Sequence, residues 1–385
     1  MASAAVILPP SDEEDRLGHV PNPNSVAIAG WAEDKGMRQE MEDGFVFVDD
    51  FMQDKWGFFA IYDGHGGQDA MQYCVDYLHQ NLFLELNKLE FCSSAASQGF
   101  DAAGLILSNN SAEEAAGHAG GSSSSACSGS NSSCEEKDDL FCDPNSRGFL
   151  CCSQREVANA LIFAFKTTDI NLIELGVQAG ATACACLLLD QIVPDEEDIG
   201  NGNMNRTTAQ AIREARLSQK PTRHLYTAHL GDARAVLCRA GLAARLTNMS
   251  DHKASDEGER ERVHKNGGTI IFDRVNGMLA IARAFGDYQL KTPSLPRDVV
   301  SNEPDVTATE LTEEDMFVIL ACDGLWDVCT DQEAVNTVLE TLTELHFLGV
   351  TSNHPRKAEI CSRVLVEAAL ARNSTDNITV QVVFF

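Results

Sequence analysis

Apolar and polar positions recur along the chain with two different periods, and the switches between them mark out its elements. Phe45–Val48, Phe58–Gly64, Thr182–Asp190, Leu225–Asp232, Met316–Gly324 and Ile378–Phe385 are short apolar runs, several of them rich in β-branched or aromatic residues, which predicts strands. Between them Met71, Val75, Leu78, Leu82 and Leu86 recur every three or four residues. Val157, Leu161 and Phe165 do the same, as do Ile360, Val364 and Ala368, and this spacing lines one face of a helix. Arg234–Thr247 reads as a hairpin with Gly241 near its turn, so part of the pairing is antiparallel. The pattern predicts an α+β chain of antiparallel sheets with helices packed outside them and no internal repeat.

Three segments lack either period. Met1–Asn24 holds prolines and an acidic cluster and is expected to be a disordered acidic arm. Residues from about 92 to 153 are dominated by Ser, Gly, Ala and Asn, and 190–222 is a shorter polar stretch with four consecutive acids at Asp195–Asp198. Because strongly patterned segments flank both, residues 25–385 are read as one domain carrying two low-complexity insertions.

Charge and cysteine content narrow the partners. The chain has 385 residues, with 58 Asp and Glu against 29 Lys and Arg, a net charge of −29. Such a chain repels a phosphate backbone and an anionic bilayer surface, so neither nucleic acid nor membrane is expected as a partner. No run approaches the ~18 apolar residues that a membrane-spanning helix needs. The first residues hold no basic region leading into an apolar stretch, which we read as a cytoplasmic chain with reduced thiols and access to the nucleus. Thirteen cysteines, an odd number, argue against a complete disulfide framework. Cys127, Cys134, Cys142, Cys151 and Cys152 cluster in the first insertion without the paired C-x2-C spacing of a structural zinc site.

The acids that close strands beside glycine carry the chemistry. Asp63 precedes Gly64 and His65, Asp232 follows Gly231, Asp323 precedes Gly324 with Asp327 four residues on, and Asp376 lies just before the last strand. Any one of them alone is an ordinary turn residue. Together they would form a set of hard oxygen donors at a sheet rim, suited to Mg²⁺ or Mn²⁺ and not to a metal that prefers thiolate. With one adjacent histidine and one nearby arginine, the set points to metal-assisted chemistry on an anion.

Nine segments in order then match one family. Arg38–Asp43 (RQEMED), Phe58–Gly67 (FFAIYDGHGG), Gly180–Ala183 (GATA), Gly231–Arg234 (GDAR), Asp251–Ser255 (DHKAS), Val275–Asp287 (VNGMLAIARAFGD), Ser301–Val306 (SNEPDV), Ala321–Asp327 (ACDGLWD) and Thr375–Val380 (TDNITV) resemble the motifs of metal-dependent protein serine/threonine phosphatases of type 2C. Arg245–Asp256 and Ser374–Phe385 look like the fungal branch of that family, whose members act on stress-activated kinase pathways.

The resemblance implies a four-layer αββα sandwich, two antiparallel β-sheets flanked by helices, and it assigns roles. Asp63 would bridge two divalent ions with help from the Gly64 carbonyl, and Asp323 and Asp376 would be further direct ligands. Glu42 and Asp43 would act through bound water. Asp232 and Asp327 match acids used at a third, weaker ion. Phosphate monoesters hydrolyse among the slowest of biological bonds, so such a site must supply a nucleophile and neutralise charge together. Water activated by two Mg²⁺ or Mn²⁺ ions would be the nucleophile, Arg38 would hold the phosphoryl oxygens, and His65 would protonate the leaving oxygen. The implied partners are phosphorylated proteins, kinases of a MAP kinase cascade among them, and the chain is read as a monomer. A silent adaptor with this fold should have lost metal acids, and all of them are present here. A calcium-binding protein of EF-hand type would need a D-x-D-x-D-G loop, which the chain lacks.

Overall fold

The computed structural model describes residues 27–51, 56–89, 91–92, 149–193, 220–291, 298–351, 354 and 356–385. The first half holds β1 (Ile28–Asp34), β2 (Gly44–Asp50), β3 (Trp56–His65), α1 (Asp69–Leu86), β4 (Phe91–Cys92), β5 (Phe149–Cys151) and α2 (Gln154–Glu174). Two central strands, β6 (Gly180–Ile192) and β7 (Thr222–Leu230), precede the hairpin β8 (Arg234–Arg239) and β9 (Leu242–Arg245). A run of short elements comes next: α3 (Glu257–Lys265), β10 (Ile270–Ile271), β11 (Arg274–Val275), β12 (Phe285–Gly286) and α4 (Tyr288–Lys291). The remainder is β13 (Asp305–Glu310), β14 (Asp315–Ala321), α5 (Asp323–Trp326), α6 (Asp331–Phe347), α7 (Lys357–Ala371) and β15 (Ile378–Phe384).

These strands form two main sheets. One runs β1-β15-β14-β8-β9 with every pair antiparallel. The other runs β13-β7-β6-β3-β2, again antiparallel, with β12 added against the start of β6. One pairing departs from the antiparallel expectation, since β5 lies parallel to β6 through Leu150↔Gln191 and Cys151↔Ile192. A parallel neighbour needs a crossover, and the 21-residue α2 between these strands supplies it.

Alternation along single strands shows why the sheets stack. In β3, Phe58, Ala60 and Tyr62 pack with Met71 and Leu78 of α1 and Leu161 and Phe165 of α2. Their neighbours Phe59 and Ile61 pack instead with Cys184, Val318 and Leu320, between the two sheets. In β14, Phe317, Ile319 and Ala321 join Val335 of α6 and Leu365 of α7 on the outer face of the other sheet. Three cores therefore separate four layers, helix, sheet, sheet and helix, as expected for an α+β sandwich. Strands buried on both faces lose their polar alternation, which is why β3, β6 and β14 read as continuous apolar runs.

Helix stripes are matched in α1 and α2, where Met71, Leu78, Leu82, Leu86, Val157, Leu161 and Phe165 are all buried. In α7 Ile360 is buried as expected, but the buried face continues through Cys361, Leu365 and Ala369, one position on from the expected Val364 and Ala368. That helix is apolar on more than one side, so spacing alone does not orient it. No helix among the described residues is long and apolar enough to cross a membrane.

The arm and the interiors of both expected insertions lie outside the described residues. Their edges are structured. Asp190–Ile192 ends β6, Thr222 begins β7, and Phe149–Cys151 is β5. Ser153 caps α2: its hydroxyl accepts from the Glu156 amide, and its own amide donates to the Glu156 carboxylate at 2.7 Å. This reciprocal box satisfies donors that a helix start otherwise leaves open. Ser153→Ala should lower unfolding free energy by about 1 kcal/mol, read from the midpoint of a urea titration.

Candidate functional site

Three strand ends deliver three carboxylates to one point. Asp63 is paired with Thr182 near the end of β3, Asp232 follows β7 through Gly231, and Asp323 follows β14 at the first position of α5. One oxygen from each lies within 4.8 Å of the other two. Gly231 is required by this geometry, since it has φ +104° and a Cβ there would stand 2.5 Å from the Thr182 side chain. The acids line a cleft of about 320 Å³ that is also lined by Arg274, Leu279 and Ile281.

Burial and proximity raise the cost of keeping these groups charged. Burial, with Asp43, Asp323 and Asp232 nearby, pushes the Asp63 carboxyl well above the usual range. Burial followed by repulsion from Asp232, Asp327 and Asp376 lifts Asp323 to about 7. Asp232 is raised by burial too, against the opposing pull of Lys253. Among the described residues no lysine or arginine pairs with Asp63 or Asp323. A hard divalent cation would reverse this penalty and needs the oxygen donors found here, so the residues fit Mg²⁺ or Mn²⁺.

The other expected residues surround this cluster in distinct settings. Asp376 and Glu42 line the same cleft. Asp376 accepts from Arg38 Nη2 at 2.5 Å, and Arg38 is more than half exposed. Glu42 accepts from the Gly67 amide at 2.7 Å, while its own amide donates to Asn377. Asp43 is buried, accepts from the Thr379 hydroxyl at 2.8 Å, and is raised to about 6 chiefly by burial. Asp327 is exposed and lies 3.5 Å from Lys253 Nζ, which is also 3.6 Å from Asp232. The strand-end acids were expected to converge, and Asp63, Asp232 and Asp323 do; the family resemblance had set Asp232 with Asp327 at a third ion, and the structure places it beside Asp63 and Asp323 as well.

His65 is held by a residue to which sequence reasoning gave no role. Its Nε2 lies 3.0 and 3.1 Å from the two oxygens of Asp287, which is buried. Asp287 has φ +53°, a left-handed conformation that aspartate tolerates better than most residues. Gly180 makes room for the pair, because a Cβ there would stand 2.3 Å from both His65 Nε2 and an Asp287 oxygen. Behind them Lys291 Nζ donates to Asp169 at 2.7 Å, with both side chains almost wholly buried. Asp169 accepts also from the Gly286 amide and from Asn302. This network ties α2 to the turn that presents Asp287. The only sequence signal was placement, since Gly180 and Asp287 each fall in a motif segment, while Asp169 sits unmarked in a helix.

Comparison with known proteins agrees with the geometry. The family profile described as Protein phosphatase 2C matches residues 30–142 and 211–378. Protein phosphatase 2C homolog 1 of Saccharomyces cerevisiae is 33% identical over 358 residues, spanning 92% of each chain. The Schizosaccharomyces pombe protein of the same name is also 33% identical, over 94% of this chain and 74% of its own. Among solved structures, a serine-threonine phosphatase 2C from Toxoplasma gondii shares the fold with a TM-score of 0.58 at 20% identity, covering 94% of this chain and 96% of that one.

Relief of carboxylate repulsion by a cation should be visible without any assay of turnover. Mn²⁺ at about a hundredfold excess over its dissociation constant should stabilise the chain by roughly 2–3 kcal/mol in thermal melts, and Asp63→Ala should remove most of that shift.

Proposed function

This chain belongs to the protein phosphatase 2C family, and from that premise we propose that it hydrolyses phosphoserine and phosphothreonine in proteins with two Mg²⁺ or Mn²⁺ ions at the Asp63–Asp232–Asp323 cleft. The observation that carries this reading is the convergence of three carboxylates, without lysine or arginine partners on Asp63 and Asp323 among the described residues, in a cleft lined by Arg38. Asp63, the Gly64 carbonyl, Asp323 and Asp376 would hold the two ions, with Glu42 and Asp43 supporting them, and Asp232 and Asp327 would meet a third, weaker ion at an outer position. When bound, such ions neutralise phosphate charge and bring the ionisation of water toward neutral pH.

The chain's own residues do the rest. Arg38 presents a fork of five N–H donors, of which the bond to Asp376 uses one arm, so the others can meet the oxygens of a phosphoryl group. That contact strengthens as charge builds on those oxygens. His65 would deliver a proton to the departing seryl or threonyl oxygen. Asp287 acts as a positioning residue, fixing the imidazole by accepting from Nε2. The peptide around the phosphoresidue would lie along the wall formed by Arg274, Leu279 and Ile281.

Kinases of a MAP kinase cascade are the substrates we favour. The support is the likeness of Arg245–Asp256 and Ser374–Phe385 to the fungal branch, together with the two yeast relatives. Phosphoproteomes of cells lacking the protein and of cells carrying Asp63→Ala should show the same activation-loop sites rising. A phosphoproteome with no change on kinases would remove that assignment.

With a phosphothreonine peptide and Mn²⁺, chelation should abolish turnover, and Asp63→Ala or Asp323→Ala should reduce kcat by more than about 100-fold. Full activity in either variant would defeat the metal assignment. Arg38→Ala should lower kcat/KM by roughly 10- to 100-fold. Asp287→Asn should lower kcat by about tenfold with KM little changed, because it disturbs His65 and not substrate binding.

A further inference from the structure

Lys253 stands where a cation is wanted, on a backbone that is held in place. Its Nζ is 3.6 Å from an Asp232 oxygen and 3.5 Å from an Asp327 oxygen, so one ammonium spans two carboxylates. Three contacts fix the segment that presents it. Asp251 accepts from Arg234 at 3.1 Å and also from Arg245. The His252 amide donates to the Gly231 carbonyl at 2.9 Å, and the Gly231 amide donates back to His252 Nδ1 at 3.1 Å. His252 Nε2 is anchored on Asp305 at 2.9 Å. Gly231 is the residue before Asp232, so the backbone that carries Lys253 is clamped to the backbone that carries the acid. Only about a third of the Lys253 side chain is exposed.

We propose that Lys253 is a built-in counter-cation for the Asp232–Asp327 pair, and that any divalent ion binding between these two carboxylates must displace its ammonium. The inference rests on the reading of Asp63 and Asp323 as holders of divalent ions, and adds a role for a residue that reading leaves unused. Before the outer ion binds, the ammonium offsets repulsion between Asp232 and Asp327 and keeps Asp232 in place beside Asp63. When that ion enters, one positive charge leaves as two arrive. The net gain is therefore smaller than for an acid pair with no lysine between, which makes the outer position weak by construction. Lys253 is thus a positioning residue whose effect should appear in metal affinity before it appears in turnover.

Mn²⁺ titration of the full chain by calorimetry, after chelator treatment and dialysis, tests this. Wild type should show tight binding followed by a weaker step. Lys253→Met, which keeps an unbranched side chain one atom shorter and loses its charge, should tighten the weaker step by about five- to tenfold and leave the tight step alone. It should also lower the melting temperature of the chelator-treated protein while sparing the Mn²⁺-saturated one. Lys253→Arg, which keeps the charge, should behave like wild type in both measurements. Lys253→Gln provides the same loss of charge if the Met variant fails to fold. In an Asp327→Asn background, removing Lys253 should no longer tighten the weaker step. An unchanged or loosened weak step in the charge-removing variants overturns the proposal while leaving the two-ion reading intact. Absence of any Mn²⁺ binding to wild type would overturn that reading, and the proposal with it.

Discussion

Repulsion among carboxylates that are buried or half-buried is the constraint around which this structure is organised. Asp63, Asp232 and Asp323 have no reason of their own to approach within 4.8 Å, and each is raised above its ordinary pKa by burial and by acidic neighbours. Hydrophobic packing overrides that cost. The two sheets meet through Phe59, Ile61, Cys184, Val318 and Leu320, and strands held by this contact carry Asp63, Asp232 and Asp323 at or just beyond their ends. Stability gained in the sandwich is stored at its rim as a demand for positive charge.

The surroundings meet that demand by degrees. Arg38 pairs with Asp376 at the exposed side and Lys253 with Asp232 and Asp327 at the other, while Asp63 and Asp323 between them have no such partner among the described residues. The least neutralised position is therefore the centre of the cleft. His65 belongs to a separate unit held by Asp287 and, behind it, by the buried Asp169–Lys291 pair. His65 shares β3 with Asp63, so the imidazole is oriented by Asp287 while its backbone is fixed to that of a cluster acid.

Much of this was legible in the chain itself, for identifiable reasons. Strand-end acids flanked by glycine stand out because glycine marks backbone crowding, and Gly64, Gly231 and Gly324 do sit where a Cβ would collide. Asp287 was harder to see, since its role depends on meeting His65 from 222 residues away through a left-handed backbone that no local pattern announces. Asp169 looked like an ordinary helical acid and proved to be a buried anchor for Lys291, Gly286 and Asn302. In α7 the spacing identified a helix but chose Val364 and Ala368 over Leu365 and Ala369, because apolar residues on adjacent faces give periodicity no basis for choosing.

The sequence alone determined the main core strands, three of the helices, the family and the chemical character of the site, because period, glycine placement and the count of acids are local properties written in residue order. Tertiary structure alone decided which face of each strand meets which layer, that β5 runs parallel to β6, how closely the expected acids approach, and which cation answers which acid. Those outcomes depend on distances between residues far apart in the chain, and side-chain charges interact through space at a strength set by burial and separation.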